Sequence, residues 1–230
     1  MTCVRLATEG DLDGLHQLAE HLDTINLPND RTRLATMLEA SNSIVCGKEE
    51  GVDRAILFVL EDDDGALVGC SAIIPRHGSP AAPHTFFDVI EDERYSRSLD
   101  RVFRHQELRL GTRFHPRTEI GSLVLAPDLR GRGLGRLISH ARFQYIAANR
   151  SRFCDHILAE LLPPFDANGS SPLWQALGSR FTGMSYREAD RMSTDEKEFI
   201  EDLFPRGDIH VSLFEEETRA VIGQVGEQTK

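Results

Sequence analysis

The segment Arg130-Gly131-Arg132-Gly133-Leu134-Gly135 constrains this 230-residue chain more than any other. It follows a strand-like run, Ile120 to Leu125. It precedes a stretch in which Leu134, Leu137, Ile138, Ala141, Tyr145 and Ala148 recur at helical spacing. Strand, glycine-rich turn and amphipathic helix in that order leave the first helical amides without intrahelical partners, at the positive end of the helix dipole. Glycines let an anion approach that backbone, and Arg130, Arg132 and Arg136 add charge-assisted donors. The turn reads as a cradle for a diphosphate. Two familiar phosphate loops do not fit. The Walker lysine and hydroxyl pair are absent, and the glycines run G-x-G-x-G in mid-chain where a dinucleotide fingerprint needs G-x-G-x-x-G early.

Charge sharpens the reading. The formal net charge is −11, which argues against general affinity for nucleic acid or anionic membrane. A cluster of arginines in so acidic a chain points to one concentrated anion. Cys3, Cys46, Cys70 and Cys154 lie far apart with no C-x-x-C pair, so no disulfide framework, zinc site or other metal site is expected. The start lacks the layout of a secretory signal, and no stretch approaches about 20 apolar residues. The expectation is a cytoplasmic protein.

The rest of the chain supplies an α/β frame. Thr2 to Ala7 alternates as a strand, and Thr8 to Asp11 forms a capping-box-like start to a helix with Leu12, Leu15, Leu18, Ala19 and Leu22 inward. Leu27 to Asp30 feeds a second helix, with Leu34, Met37 and Leu38 inward. Ala55–Leu60 and Leu67–Ile73 read as strands around an acidic Asp-Gly turn. Pro75 to His115 reads as an insertion over part of the site, with Arg94–Arg101 as loop or helix. Further strands are expected at His156–Leu161 and Ile209–Phe214. Helices are expected from Ser170 to Gly178 and from Thr194 to Leu203.

The order β-α-α-β-β-β, then R-x-x-G-x-G, then α-β-α resembles the GCN5-related N-acetyltransferase fold, a central mixed sheet flanked by helices. Arg130, Gly133 and Gly135 match its pyrophosphate motif. A closer resemblance, over nearly the whole chain, is to the arginine N-succinyltransferases. It is carried by Phe58-Val59-Leu60-Glu61-Asp62, Glu119 to Leu125, Ser171-Pro172-Leu173-Trp174, Ala189-Asp190, Lys197-Glu198-Phe199-Ile200 and Val221-Ile222-Gly223-Gln224-Val225. The resemblance implies transfer of a succinyl group from succinyl-coenzyme A to the α-amino group of arginine, in arginine catabolism. It places the succinyl-coenzyme A contact on Leu123. Where the family carries a proton-donating histidine, this chain has Gly226. The chain is identified as a shortened, divergent member, with an acyltransferase core over 1–181 and a C-terminal extension over 182–230.

On this basis the candidate coenzyme-binding residues are Leu123, Val124, Leu125, Arg130, Gly131, Arg132, Gly133, Leu134, Gly135 and Arg136. The Leu123 main-chain amide is the candidate oxyanion donor. Glu119 is the candidate base for the acceptor ammonium, and Tyr186 the candidate proton donor to the leaving thiolate. His115 and His140 are weaker candidates, while Trp174 and Cys70 read as packing. Two alternatives stay open at this point: an acetyl-coenzyme A-dependent transferase with another amine acceptor, or a catalytically weak coenzyme-binding subunit of a homo- or hetero-oligomer.

Overall fold

The computed structural model describes residues 2–20, 27–166, 169–195 and 197–226. Leu22, expected on the first helix, lies outside them. The chain divides into two compact units. One comprises Met1–Pro83 with Phe114–Glu160, the other His84–Arg113 with Leu161–Lys230. This division does not follow the 181/182 boundary expected from the sequence.

The first unit is built on a five-stranded sheet in the order β1-β2-β3-β6-β7, with β1 Cys3–Leu6, β2 Ile56–Glu61, β3 Leu67–His77, β6 Arg117–Leu125 and β7 Ile157–Leu158. β1, β2, β3 and β6 pair antiparallel, and β7 pairs parallel with β6. On one face lie α1 (Leu12–Glu20) and α2 (Arg31–Val45), whose Leu15, Leu18, Leu34 and Leu38 pack with Leu57, Val59, Cys70 and Val124. On the other lies α3 (Leu134–Ala148), with Ile138 and Ile146 against Ile56, Phe58, Leu60 and Ile73. Covered on both faces, β2 reads as a continuous apolar run.

Local chemistry sets the helix starts. The Thr8–Asp11 capping box is present, and Arg5 grips the Asp11 carboxylate at 2.7 and 2.8 Å. That grip holds the Asp11 carboxyl below the usual aspartate range. Asp30 caps α2 by accepting the Thr32 and Arg33 amides. In the acidic turn, Asp62 accepts the Asp64 and Ala66 amides, and Gly65 supplies a φ of 82°. The expected solvated turn is observed.

The second unit holds a three-stranded sheet, β4-β5-β8, with β4 His84–Ser96, β5 Arg101–Arg113 and β8 Ile209–His210. Strands β4 and β5 pair from His84↔Arg113 to Ser96↔Arg101 without a break. The expected loop or helix at Arg94–Arg101 is therefore corrected: these residues close a long hairpin. Its turn has no glycine, and Asp100 takes the left-handed conformation (φ 46°) while accepting the Tyr95 hydroxyl at 2.7 Å. A π-turn, Trp174–Gly178, leads into α4 (Ser179–Thr182), and Gly183 (φ 69°) ends it. The helix thus outruns the expected stop at Gly178. That glycine instead lets the Trp174 ring lie where a Cβ would be. The stretch expected as one helix over Thr194–Leu203 is the end of α5 (Tyr186–Asp195) and a separate α6 (Glu198–Leu203). Strands expected at His156–Leu161 and Ile209–Phe214 shrink to two-residue β7 and β8, the latter followed by a 3-10 turn. α7 (Glu216–Val221) follows. The core of this unit is Leu108, Leu177, Phe204 and Val211 with Phe87, Trp174 and Ile222 packed around them.

Among the described residues no helix is long and apolar enough to cross a membrane.

Candidate active site

Strand β6 supplies the first half of the site. It pairs with β3 in two registers, Ile120↔Ile73 and Gly121↔Ala72 on one side, Val124↔Cys70 and Leu125↔Gly69 on the other. Ser122 and Leu123 therefore both stand opposite Ser71, which is a β-bulge. Ser122 adopts φ 49°, uncommon for a residue with a Cβ. The extra residue breaks the alternation, so the Leu123 side chain is 47% exposed and Val124 is buried. The Leu123 side chain is turned outward, and its main chain lies at the kink.

The other edge of β6 is paired only briefly. It meets β7 at Thr118↔Ile157 and Glu119↔Leu158, beyond which no pairing with β7 continues. Ile120 to Leu125 thus lie beyond the ladder with β7.

After β6, a 3-10 turn at Pro127–Leu129 delivers the chain to Arg130, whose Nε donates to the Leu125 carbonyl at 3.4 Å. Gly131 (φ 76°) and Gly133 (φ 80°) carry the backbone through left-handed conformations that other residues resist. Gly133 is the N-cap of α3, and no side chain caps that end. No acidic residue occupies the first turn. A Cβ at Gly131, Gly133 or Gly135 would meet nothing within 4 Å, so these glycines border open space. Arg130, Arg132 and Arg136 are exposed, and among the described residues none forms an ion pair. Uncapped amides and a dipole end border a volume free of protein atoms, and three exposed arginines stand on the same turn. This is what a diphosphate requires, so the residues present fit a coenzyme A thioester.

Glu119 is not the exposed carboxylate of a strand end. Its side chain is only 15% exposed, and Oε2 lies 3.6 Å from His77 Nδ1. His77 Nδ1 is also 3.3 Å from Asp53 Oδ1, which accepts the Gly78 amide at 2.9 Å. Asp53 itself is left-handed (φ 51°). Sequence reasoning missed His77 and Asp53 because β3 runs four residues past the expected Ile73. Only that extension brings His77 to the flank of Glu119.

The face of α3 also differs from expectation. Leu137 and Ala148 are exposed, and the buried stripe is Ile138, Arg142, Ile146. The Arg142 guanidinium donates to the Gly121 carbonyl at 3.0 Å and to Ser139 Oγ at 2.8 Å. Burial pushes it down from the ordinary arginine value.

The remaining candidates fall as follows. Tyr186 belongs to the second unit, where its ring packs edge-on against Phe165 and Trp174. Trp174 donates its indole N–H to the Met184 carbonyl at 3.0 Å. His115 and His140 are exposed. Cys70 is buried, its thiol pushed up to about 12. Gly226 is buried and donates to the Leu162 carbonyl at 2.9 Å. A cleft of about 580 Å³ is lined wholly by second-unit residues, among them Glu91, Arg104, His105 and Arg219, and includes none of the arginine-glycine turn.

A mixed sheet whose inner strand bulges and leads through an uncapped glycine-arginine turn into a helix suits an acyl-coenzyme A-dependent N-acyltransferase. The description of the arginine N-succinyltransferase beta subunit matches residues 2–230, and the chain belongs to that family. It is 34% identical to an arginine N-succinyltransferase of Enterobacter sp. over all of this chain and 67% of that protein. It is 34% identical to the arginine N-succinyltransferase subunit beta of Pseudomonas aeruginosa, over 99% of this chain and 67% of that protein. The solved arginine/ornithine succinyltransferase subunit AI of Pseudomonas aeruginosa superposes with a TM-score of 0.82 at 28% identity, over 99% of this chain and 67% of that one. The chain thus spans about two thirds of the length of these relatives.

Proposed function

We propose that this chain transfers the succinyl group of succinyl-coenzyme A to the α-amino group of arginine. What supports this reading is the family match along residues 2–230, joined to an uncapped, glycine- and arginine-rich start of α3 whose chemistry suits a diphosphate.

The thioester arrives with its diphosphate over the Gly133–Arg136 amides and its pantetheine arm along the open edge of β6. Its carbonyl oxygen accepts the Leu123 amide at the bulge, so negative charge developing on that oxygen meets a fixed donor. An α-amino group has a pKa of about 8, so the acceptor must shed a proton before it attacks. Glu119 takes it. The amine then adds to the thioester carbon, the tetrahedral intermediate collapses, and the carbon–sulfur bond breaks. Tyr186 is the proposed proton source for the departing thiolate.

Holding both reactants in line contributes on its own, so a chain with Gly226 at the family's histidine position retains a route to product. In this reading the protein assembles with further subunits, as the beta-subunit designation of its family suggests. The test is thiol release from succinyl-coenzyme A and acetyl-coenzyme A with a panel of amines. Arginine with succinyl-coenzyme A should give the fastest release. No release with arginine, or faster release from acetyl-coenzyme A, would overturn the assignment.

A further inference from the structure

Arg142 is the middle member of a buried helical stripe whose other members, Ile138 and Ile146, are apolar. It is 4% exposed, and no carboxylate among the described residues pairs with it. Its Nε is buried without a hydrogen-bond partner. A guanidinium in that position is unfavourable for stability, since an aliphatic side chain would bury the same surface without stranding a charge. What Arg142 has instead is one contact with the sheet: its Nη1 donates to the carbonyl of Gly121, the residue before left-handed Ser122. Across the ladder, Ser71 faces the bulge with its hydroxyl also buried and unpartnered. Two unsatisfied polar groups thus flank one kink, and buried polar groups are rarely left so without a reason.

We infer that Arg142 is a positioning residue: its guanidinium clamps the Gly121 carbonyl and so fixes the β6 bulge that presents the Leu123 amide to the thioester. A strand of this composition can relax toward regular pairing with β3, which would return Ser122 to an extended conformation and swing the Leu123 amide away. The carbonyl bond to α3 opposes that relaxation. Arg142 touches no substrate; it acts through the backbone. The proposal rests on the acyl-transfer reading for its consequence, but the clamp itself can be read without any reaction.

The test uses the full chain carrying Arg142→Met and Arg142→Lys. Hydrogen exchange at the Leu123 amide should slow at least about tenfold in Arg142→Met, as the released strand takes up regular pairing with β3, while exchange in β2 stays as in the unaltered protein. Misplacing a donor by a fraction of an ångström has large kinetic consequences, so kcat should fall at least about tenfold with coenzyme A affinity held within about threefold. Arg142→Lys, which can keep the bond to Gly121, should recover part of kcat. Adding Ser122→Gly, which removes the left-handed strain, should recover part of it in Arg142→Met. If Arg142→Met does not fold, Arg142→Lys carries the comparison: slower turnover with slower Leu123 exchange supports the clamp. Unchanged Leu123 exchange in the folded variant overturns it. So does a loss of kcat and coenzyme affinity in proportion, unrelieved by Ser122→Gly. Absence of thiol release from the unaltered protein would sink the proposed reaction and leave the exchange experiment to decide the clamp.

Discussion

The two compact units solve the same problem, a sheet with one helix-covered core, by different means. In the first, β2 and β3 are sandwiched between α1/α2 and α3 and are buried almost throughout. In the second, β4 is largely half-buried or exposed, and β5 buries only Leu108 and Glu107 in its length. Its ladder is decorated by charged pairs such as Arg104–Glu93 at 2.8 Å, set directly opposite one another. Exposed pairs of that kind contribute little each. The first unit can therefore hold a strained bulge and an uncapped helix end, because packing on both faces over-determines them. The second concentrates its stability in one aromatic-rich cluster.

That contrast can be broken at its strongest point first. Leu108→Ala, in the core cluster of the second unit, should lower stability by about 2–5 kcal/mol, measured by denaturant unfolding. Coenzyme A affinity of the folded protein should stay within about threefold, because Leu108 belongs to the second unit and the cradle to the first. A parallel loss of affinity would show that the cradle depends on the second unit. Next, Arg130→Ala with Gly133→Val should weaken coenzyme A binding at least about a hundredfold by calorimetry. Forcing valine into the left-handed conformation is worth about 1–2 kcal/mol of stability, so the protein should still melt cooperatively.

Two carboxyl groups sharpen the comparison, since their environments act in opposite directions. Half-buried Asp190 is raised by desolvation from the ordinary 3.8 to about 6. It binds its proton more tightly when folded, so stability should decline as pH rises through that interval. Asp190→Asn should remove the decline and gain of order 1 kcal/mol at neutral pH, read from unfolding midpoints at acidic and neutral pH. Asp11 is lowered, chiefly by its bond from Arg5. Its contribution is complete above the ordinary 3.8 and is lost as pH falls below it. Asp11→Asn should cost about 0.5–1 kcal/mol at neutral pH, because Arg5 is partly solvated, and should flatten the acid limb.

The difference between the units also explains what the sequence disclosed. The β6–turn–α3 sequence was legible because its signals are local: an apolar run, left-handed glycines, then helical periodicity. The family resemblance carried the fold and the class of reaction. The long hairpin was not legible, because Ile90-Glu91-Asp92-Glu93-Arg94 has no clean alternation and the turn at 97–100 uses Asp100 in place of glycine. Within the site, Glu119 was named, but its neighbours His77 and Asp53 come together through strand extension and an isolated bridge at Val52, which spacing does not encode. Arg142 carried no signal of its burial, since a charged residue on an amphipathic helix is ordinarily solvated. The bulge left no mark in Ile120-Gly121-Ser122-Leu123-Val124-Leu125, where a register shift is a property of the pairing with β3.

The central claim is that the amides opening α3 receive the diphosphate of the acyl donor, and a crystal structure grown with coenzyme A tests it most directly. The account predicts diphosphate oxygens within hydrogen-bond distance of the amides from Gly133 to Arg136, with the Arg130 guanidinium alongside. Nucleotide density bound elsewhere, with the turn empty, would contradict it.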